Sequence, residues 1–134
     1  MRVVGIDFGR VRIGIAVAET SAKVVGLRKP IPASGTLLKD VQAITDLARA
    51  EEAEALVVGV PLGVEGSKQT AICQRIAGML RDAGWTVHEV DESLTSVESN
   101  GALFEQGLTA AQRKKEVDSY AASLILERFM HGNG

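Results

Sequence analysis

The chain has 134 residues, 46% of them apolar and 24% charged, with a formal net charge of −2; that length suggests one domain, residues 1–134, with a core that needs no covalent staple. Its single cysteine, Cys73, excludes an internal disulfide and a cysteine-rich zinc cluster and fits a reducing, cytoplasmic setting. No apolar run reaches the ~18 residues of a membrane span, and the N-terminus does not read as a signal peptide.

VVGIDF (3–8) reads as a β-branched strand and RIGIAVAE (12–19) as a second, alternating small and apolar residues. Gly9 between them supplies a permissive backbone for the turn. A third strand is expected around VVGLRK (24–29), before Pro30 and Pro32, which makes an antiparallel meander. In TLLKDVQAITDLARAEE (36–52), Leu37, Val41, Ile44 and Ala48 share one helical face. ALVVGV (55–60) is a near-continuous apolar run, the pattern of a strand buried on both faces. Ser67 caps a second helix carrying Ile72, Ile76, Met79 and Leu80, and Gly84 ends it. Cys73 falls opposite the Ile72/Ile76 stripe. WTVHEVDE (85–92) is a further strand, with Trp85 anchoring its start and His88 on its surface. Ser96 could cap a short helix through Phe104. The last helix covers residues 115–130, although Thr109 with Gln112 offers an earlier capping box.

The order β-β-β-α-β-α-β-α, with the short helix preceding the last, predicts an α/β fold. A mixed five-stranded sheet would carry helices on both faces, and strands joined through a helix would run parallel by right-handed crossovers.

Sites in such sheets gather where strand ends converge. Asp7 ends the first strand, Asp91 and Glu92 end the fifth, and Asp118 lies in the first turns of the last helix. Asp118, Ala122, Ile125 and Phe129 share a helical stripe, which turns Asp118 toward the sheet. A buried unpaired carboxylate is costly; several converging carboxylates can share a cation. Oxygen-only ligands favour Mg²⁺ or Mn²⁺ and phosphoryl-transfer chemistry. Adjacent strand residues point to opposite faces, so only one of Asp91 and Glu92 faces such a site directly, and spacing does not choose between them. Each acid also has an ordinary structural explanation: a turn residue, a polar strand end, or a helix acid favoured by the dipole.

The charge is uneven. Residues 1–29 hold Arg2, Arg10, Arg12, Lys23, Arg28 and Lys29 against only Asp7 and Glu19, and Arg113-Lys114-Lys115 precedes Asp118. Local basic groups can hold phosphates on an acidic protein. Arg10 and Arg12 flank the first turn, and Lys114 lies one helical turn before Asp118. Few aromatics interleave with these bases, so recognition of backbone and shape is expected over base stacking.

Four blocks now in view, GIDFGRVRIGIA, VVGVPL followed by Gly66, VDESLTS and KKEVDSYAASLIL, resemble the RuvX (YqgF) family. These are RuvC-like Holliday junction resolvases, also described as pre-16S rRNA nucleases, and the resemblance spans nearly the whole chain. It implies a ribonuclease H-like fold and divalent-metal endonuclease chemistry, with Mg²⁺ or Mn²⁺ held by Asp7, Glu92 and Asp118. The family motif is what selects Glu92 over Asp91. The family often has Arg after Glu92; here Ser93 stands there, a departure that bears on one phosphate contact and not on the metal site. Arg10, Arg12, Arg113, Lys114 and Lys115 would hold nucleic acid. The implied partner is a four-way DNA junction, which suits a homodimer, or pre-16S rRNA on the assembling ribosome. Two other readings remain: a non-catalytic RNA- or ribosome-associated protein keeping the fold, and an actin-like ATP-binding module, since GIDFG also opens such folds. The second would need two lobes and shows no P-loop.

Overall fold

The computed structural model describes residues 1–61, 67–91 and 110–131, the side chains of 110–118 excepted. Five strands form one sheet: β1 (Arg2–Phe8), β2 (Arg12–Glu19), β3 (Val24–Pro32), β4 (Ala55–Val60) and β5 (Val87–Asp91). Among the described residues three helices accompany them: α1 (Leu37–Ala50), α2 (Lys68–Asp82) and α3 (Ala110–His131). The spatial order is β3-β2-β1-β4-β5. β1–β2 and β2–β3 are antiparallel, and β1–β4 and β4–β5 are parallel. The predicted mixed sheet is therefore present. No helix among the described residues is long and apolar enough to cross a membrane.

Strand alternation divides the sheet into two apolar faces. Val4, Ile6 and Phe8 of β1 join Ile13, Ile15, Leu56, Val58 and the inner faces of α1 and α2 in the larger core. Val3 joins Ala16, Ala18, Ala55, Val57 and, from α3, Ala122, Ile125, Leu126 and Phe129 in the smaller one. β4 is buried along its whole length, as its apolar run predicts. Val41, Ile44 and Ala48 of α1 are buried and Leu37 packs against them, as the helical spacing requires.

Several local expectations change. β3 runs on through Pro30 and Pro32, which the sheet tolerates because β3 is an edge strand, where a missing N–H breaks no ladder. Gly9 does not adopt a positive φ; what it needs is room, since a Cβ there would lie 2.6 Å from the Arg12 carbonyl oxygen. Cys73 is fully buried in the larger core with Ile76 and Leu80. The inner face of α2 is thus centred on 73, 76, 77 and 80, and Ile72 sits at its margin. His88 is half-buried, its ring 4.8 Å from that of Phe129. α3 begins at Ala110, earlier than residue 115. The short helix expected over 96–104 lies outside the described residues.

Candidate metal and nucleic-acid site

The parallel strands β1, β4 and β5 end at one edge of the sheet, with Asp7–Phe8, Val60–Pro61 and Asp91 at their C-terminal ends. β2 begins at the same edge, because it returns antiparallel from β1 with Phe8 opposite Ile13.

Asp7 is half-buried. It is two residues beyond Gly5, whose α-carbon faces Ala122 and Leu126 of α3, so by alternation its carboxylate lies on the α3 face. Its register partner on β2 is Gly14. On the other side Ile6 pairs with Val58, which places Gly59 next to Asp7 on β4. Glycines thus flank Asp7 on both neighbouring strands, and Arg12, two residues before Gly14 on β2, lies on the same face by alternation.

α3 crosses the sheet obliquely over this face. Ser119 Oγ donates to the Arg28 carbonyl of β3 at 2.6 Å, and Arg128 Nη1 donates to the Asp91 carbonyl at the end of β5 at 2.7 Å. Ala122, Ile125 and Phe129 of the predicted stripe are buried. Asp118 stands one turn before Ala122 on the helix backbone, and its side chain is outside the described residues. The same holds for the side chains of Arg113, Lys114 and Lys115, in the first turns of α3.

Asp91 ends β5 opposite Val60, and Val60 belongs to the α1–α2 core. Glu89, two residues earlier on the same face, pairs with Arg81 of α2 at 3.0 Å. Asp91 therefore lies on the face away from Asp7. Glu92 lies outside the described residues. Among the described residues no three His, Cys, Asp or Glu side chains cluster in a metal-binding group; Asp7 is the one expected ligand whose side chain is described.

Arg10 is exposed in the loop that follows β1, and Arg12 is half-buried at the start of β2, opposite Pro32. Both stand at the edge where Asp7 ends its strand. The sequence reading missed the first turn of α2, which touches the same edge: Gln69 Nε2 donates to the Phe8 carbonyl at 2.8 Å and Thr70 Oγ1 to that of Pro61 at 2.9 Å. The proline closing β4 was the available signal.

Solved structures that share this architecture include two Holliday junction resolvases. One is T. thermophilus RuvC in complex with a Holliday junction substrate, with TM-score 0.60 and 17% identity over 96% of this chain and 94% of that one. The other is the fowlpox virus Holliday junction resolvase, with TM-score 0.57 and 14% identity over 98% of this chain and 99% of that one. The fold is thus the RuvC-type, ribonuclease H-like α/β fold. The family model "RuvX: Holliday junction resolvase" matches residues 1–132. Curated relatives called "Putative pre-16S rRNA nuclease" include one from Coxiella burnetii (strain Dugway 5J108-111), 38% identical over 94% of this chain and 89% of its own length. Another, from Anaeromyxobacter sp. (strain K), is 35% identical over 97% of this chain and 96% of its own length. The chain belongs to the RuvX family, which places it among nucleases, hydrolases of phosphodiester bonds.

Proposed function

We propose that this nuclease is a divalent-metal-dependent endonuclease that trims the 5′ region of pre-16S rRNA in the cytoplasm. The observation that carries the metal reading is the placement of Asp7: at the C-terminal end of the central strand, on the face crossed by α3, between two glycines. The RNA substrate is favoured by relatives at 35% and 38% identity that bear the pre-16S rRNA nuclease name.

Asp7, Glu92 and Asp118 would hold the ions. A set of three carboxylates suits Mg²⁺ or Mn²⁺. Asp91, turned to the opposite face, is a poor candidate, which supports Glu92 as the ligand from this part of the chain. Bound there, divalent ions supply activation of water and neutralisation of charge at the scissile phosphate. The chain's own bases do the rest: Arg10 and Arg12 at the sheet edge, with Arg113, Lys114 and Lys115 at the start of α3, would hold the flanking phosphates and fix the backbone for in-line attack.

A second reading has its own support. The family model carries the junction-resolvase description, and one structural neighbour is bound to a Holliday junction. A four-way junction would call for a homodimer making paired, symmetric nicks.

A cleavage assay separates these. A pre-16S 5′ fragment, a synthetic four-way junction and a linear duplex are each incubated with Mg²⁺ or Mn²⁺ and with wild type or Asp7→Asn. The expected result is metal-dependent cleavage of the rRNA fragment near the mature 5′ end, leaving 5′-phosphate and 3′-hydroxyl products, and none with Asp7→Asn. Selective paired nicking of the junction would transfer the assignment to DNA. If Asp7→Asn cleaves like wild type, the metal role of Asp7 is wrong.

A further inference from the structure

The register of β1 against β4, from Val3↔Ala55 to Ile6↔Val58, fixes which backbone groups meet. The Leu56 N–H donates to the Thr86 carbonyl, toward β5. Alternation therefore turns the N–H groups of Val57, Gly59 and position 61 toward β1. In a parallel ladder a carbonyl takes the N–H one past its register partner. Val4 thus calls on Val57, Ile6 on Gly59, and Phe8 on residue 61. Residue 61 is proline, which has no N–H. The ladder breaks beside Asp7, and a buried carbonyl left without a donor is costly.

Gln69 fills the gap. Its carboxamide Nε2 donates to the Phe8 carbonyl at 2.8 Å, from 61 residues away in sequence. The next residue, Thr70, holds the Pro61 carbonyl through Oγ1 at 2.9 Å, and its N–H donates to Ser67 Oγ at 3.0 Å. The first turn of α2 thus secures the ends of both β1 and β4.

We infer that Gln69 is a positioning residue for the metal centre: through the Phe8 carbonyl it sets the end of β1 that carries Asp7 and opens the loop that carries Arg10. The inference rests on the proposed ligand role of Asp7. A glutamine that only stabilised the fold would change the melting temperature and leave ion affinity alone. A positioning glutamine changes ion affinity in the folded protein.

The test uses the full chain without nucleic acid. Mn²⁺ is titrated into wild type, Gln69→Met and Asp7→Asn, and binding is followed by paramagnetic broadening of backbone amide signals. Circular dichroism melts are run in parallel. Methionine keeps the length and removes the donor. Gln69→Met is expected to stay folded and to bind Mn²⁺ about 10- to 100-fold more weakly, the usual effect of removing a group that orients a ligand. If Asp7→Asn loses Mn²⁺ and Gln69→Met does not, the inference fails and the metal reading stands. If Asp7→Asn binds as wild type does, or wild type binds no Mn²⁺, the metal reading fails and takes the inference with it. A Gln69→Met chain that does not fold would mark Gln69 as structural and overturn the positioning role.

Discussion

Glu51, just past α1, accepts hydrogen bonds from Arg2 of β1 at 2.7 Å and from Arg28 of β3 at 2.8 Å. One carboxylate thus ties a central strand and an edge strand to the end of a helix. The Arg28 guanidinium, and then that of Arg2, hold its carboxyl below the ordinary value of 4.5. A lowered folded-state pKa means that the pair stabilises fully above the ordinary carboxylate range. That stabilisation is lost as pH falls through the lowered value. Glu51→Gln should therefore cost about 1 kcal/mol at neutral pH, the scale of a partly exposed pair, and should flatten the acid limb of stability below pH 4.5; urea melts at pH 7 and pH 3 would read both. Ser67→Ala should cost about 1 kcal/mol by removing the α2 cap, measurable in the same melts. Ser67 was legible in the sequence because capping is local. Glu51 was not: its partners lie 49 and 23 residues away, and only the tertiary fold brings them together.

α3 meets β1 at Gly5. A Cβ at that position would lie 2.6 Å from Leu126 Cγ and 2.8 Å from the Ala122 carbonyl oxygen. The leucine can turn away, but the carbonyl is helix backbone, so Gly5→Ala has to displace α3. The overpacking should cost about 1–3 kcal/mol. Cleavage should fall further than the stability change explains, because the helix that moves carries Asp118 one turn from the contact. Melting temperature and turnover of the same variant would show the two effects separately. Helical periodicity announced the apolar stripe of α3, and four of the strands appeared close to where the sequence put them. The face of α2 was misjudged at Cys73 because a stripe read from one helix alone cannot show which side the sheet will take. β3 was cut short at its prolines because a sequence does not say which strands are edges. The glycine inside a strand was a signal of close backbone approach, but nothing local said that α3 would be the visitor.

At the scale of the whole molecule, three acids spread over residues 7 to 118 bear on one site only if the strand order makes β1 central and aligns the ends of β1, β4 and β5. Spacing named the candidates; the register sorted Asp91 to the far face. The net charge of −2 hides a basic edge formed by Arg10 and Arg12. Nucleic-acid affinity should fall with added salt, and Arg10→Ala should lower the log–log slope by about one; filter-binding isotherms across a salt series would measure it. The layers of the fold have one more effect. α1 and α2 share one face of the sheet, whereas α3 is the only helix on the other among the described residues, and it touches all five strands. Two cores on opposite sides of a sheet need not melt together, and a single helix can peel away while the other side holds. Warming should then silence the enzyme before it unravels the sheet: the temperature of half-inactivation would lie below the circular-dichroism midpoint, and amide protons of α3 would exchange ahead of those of β1.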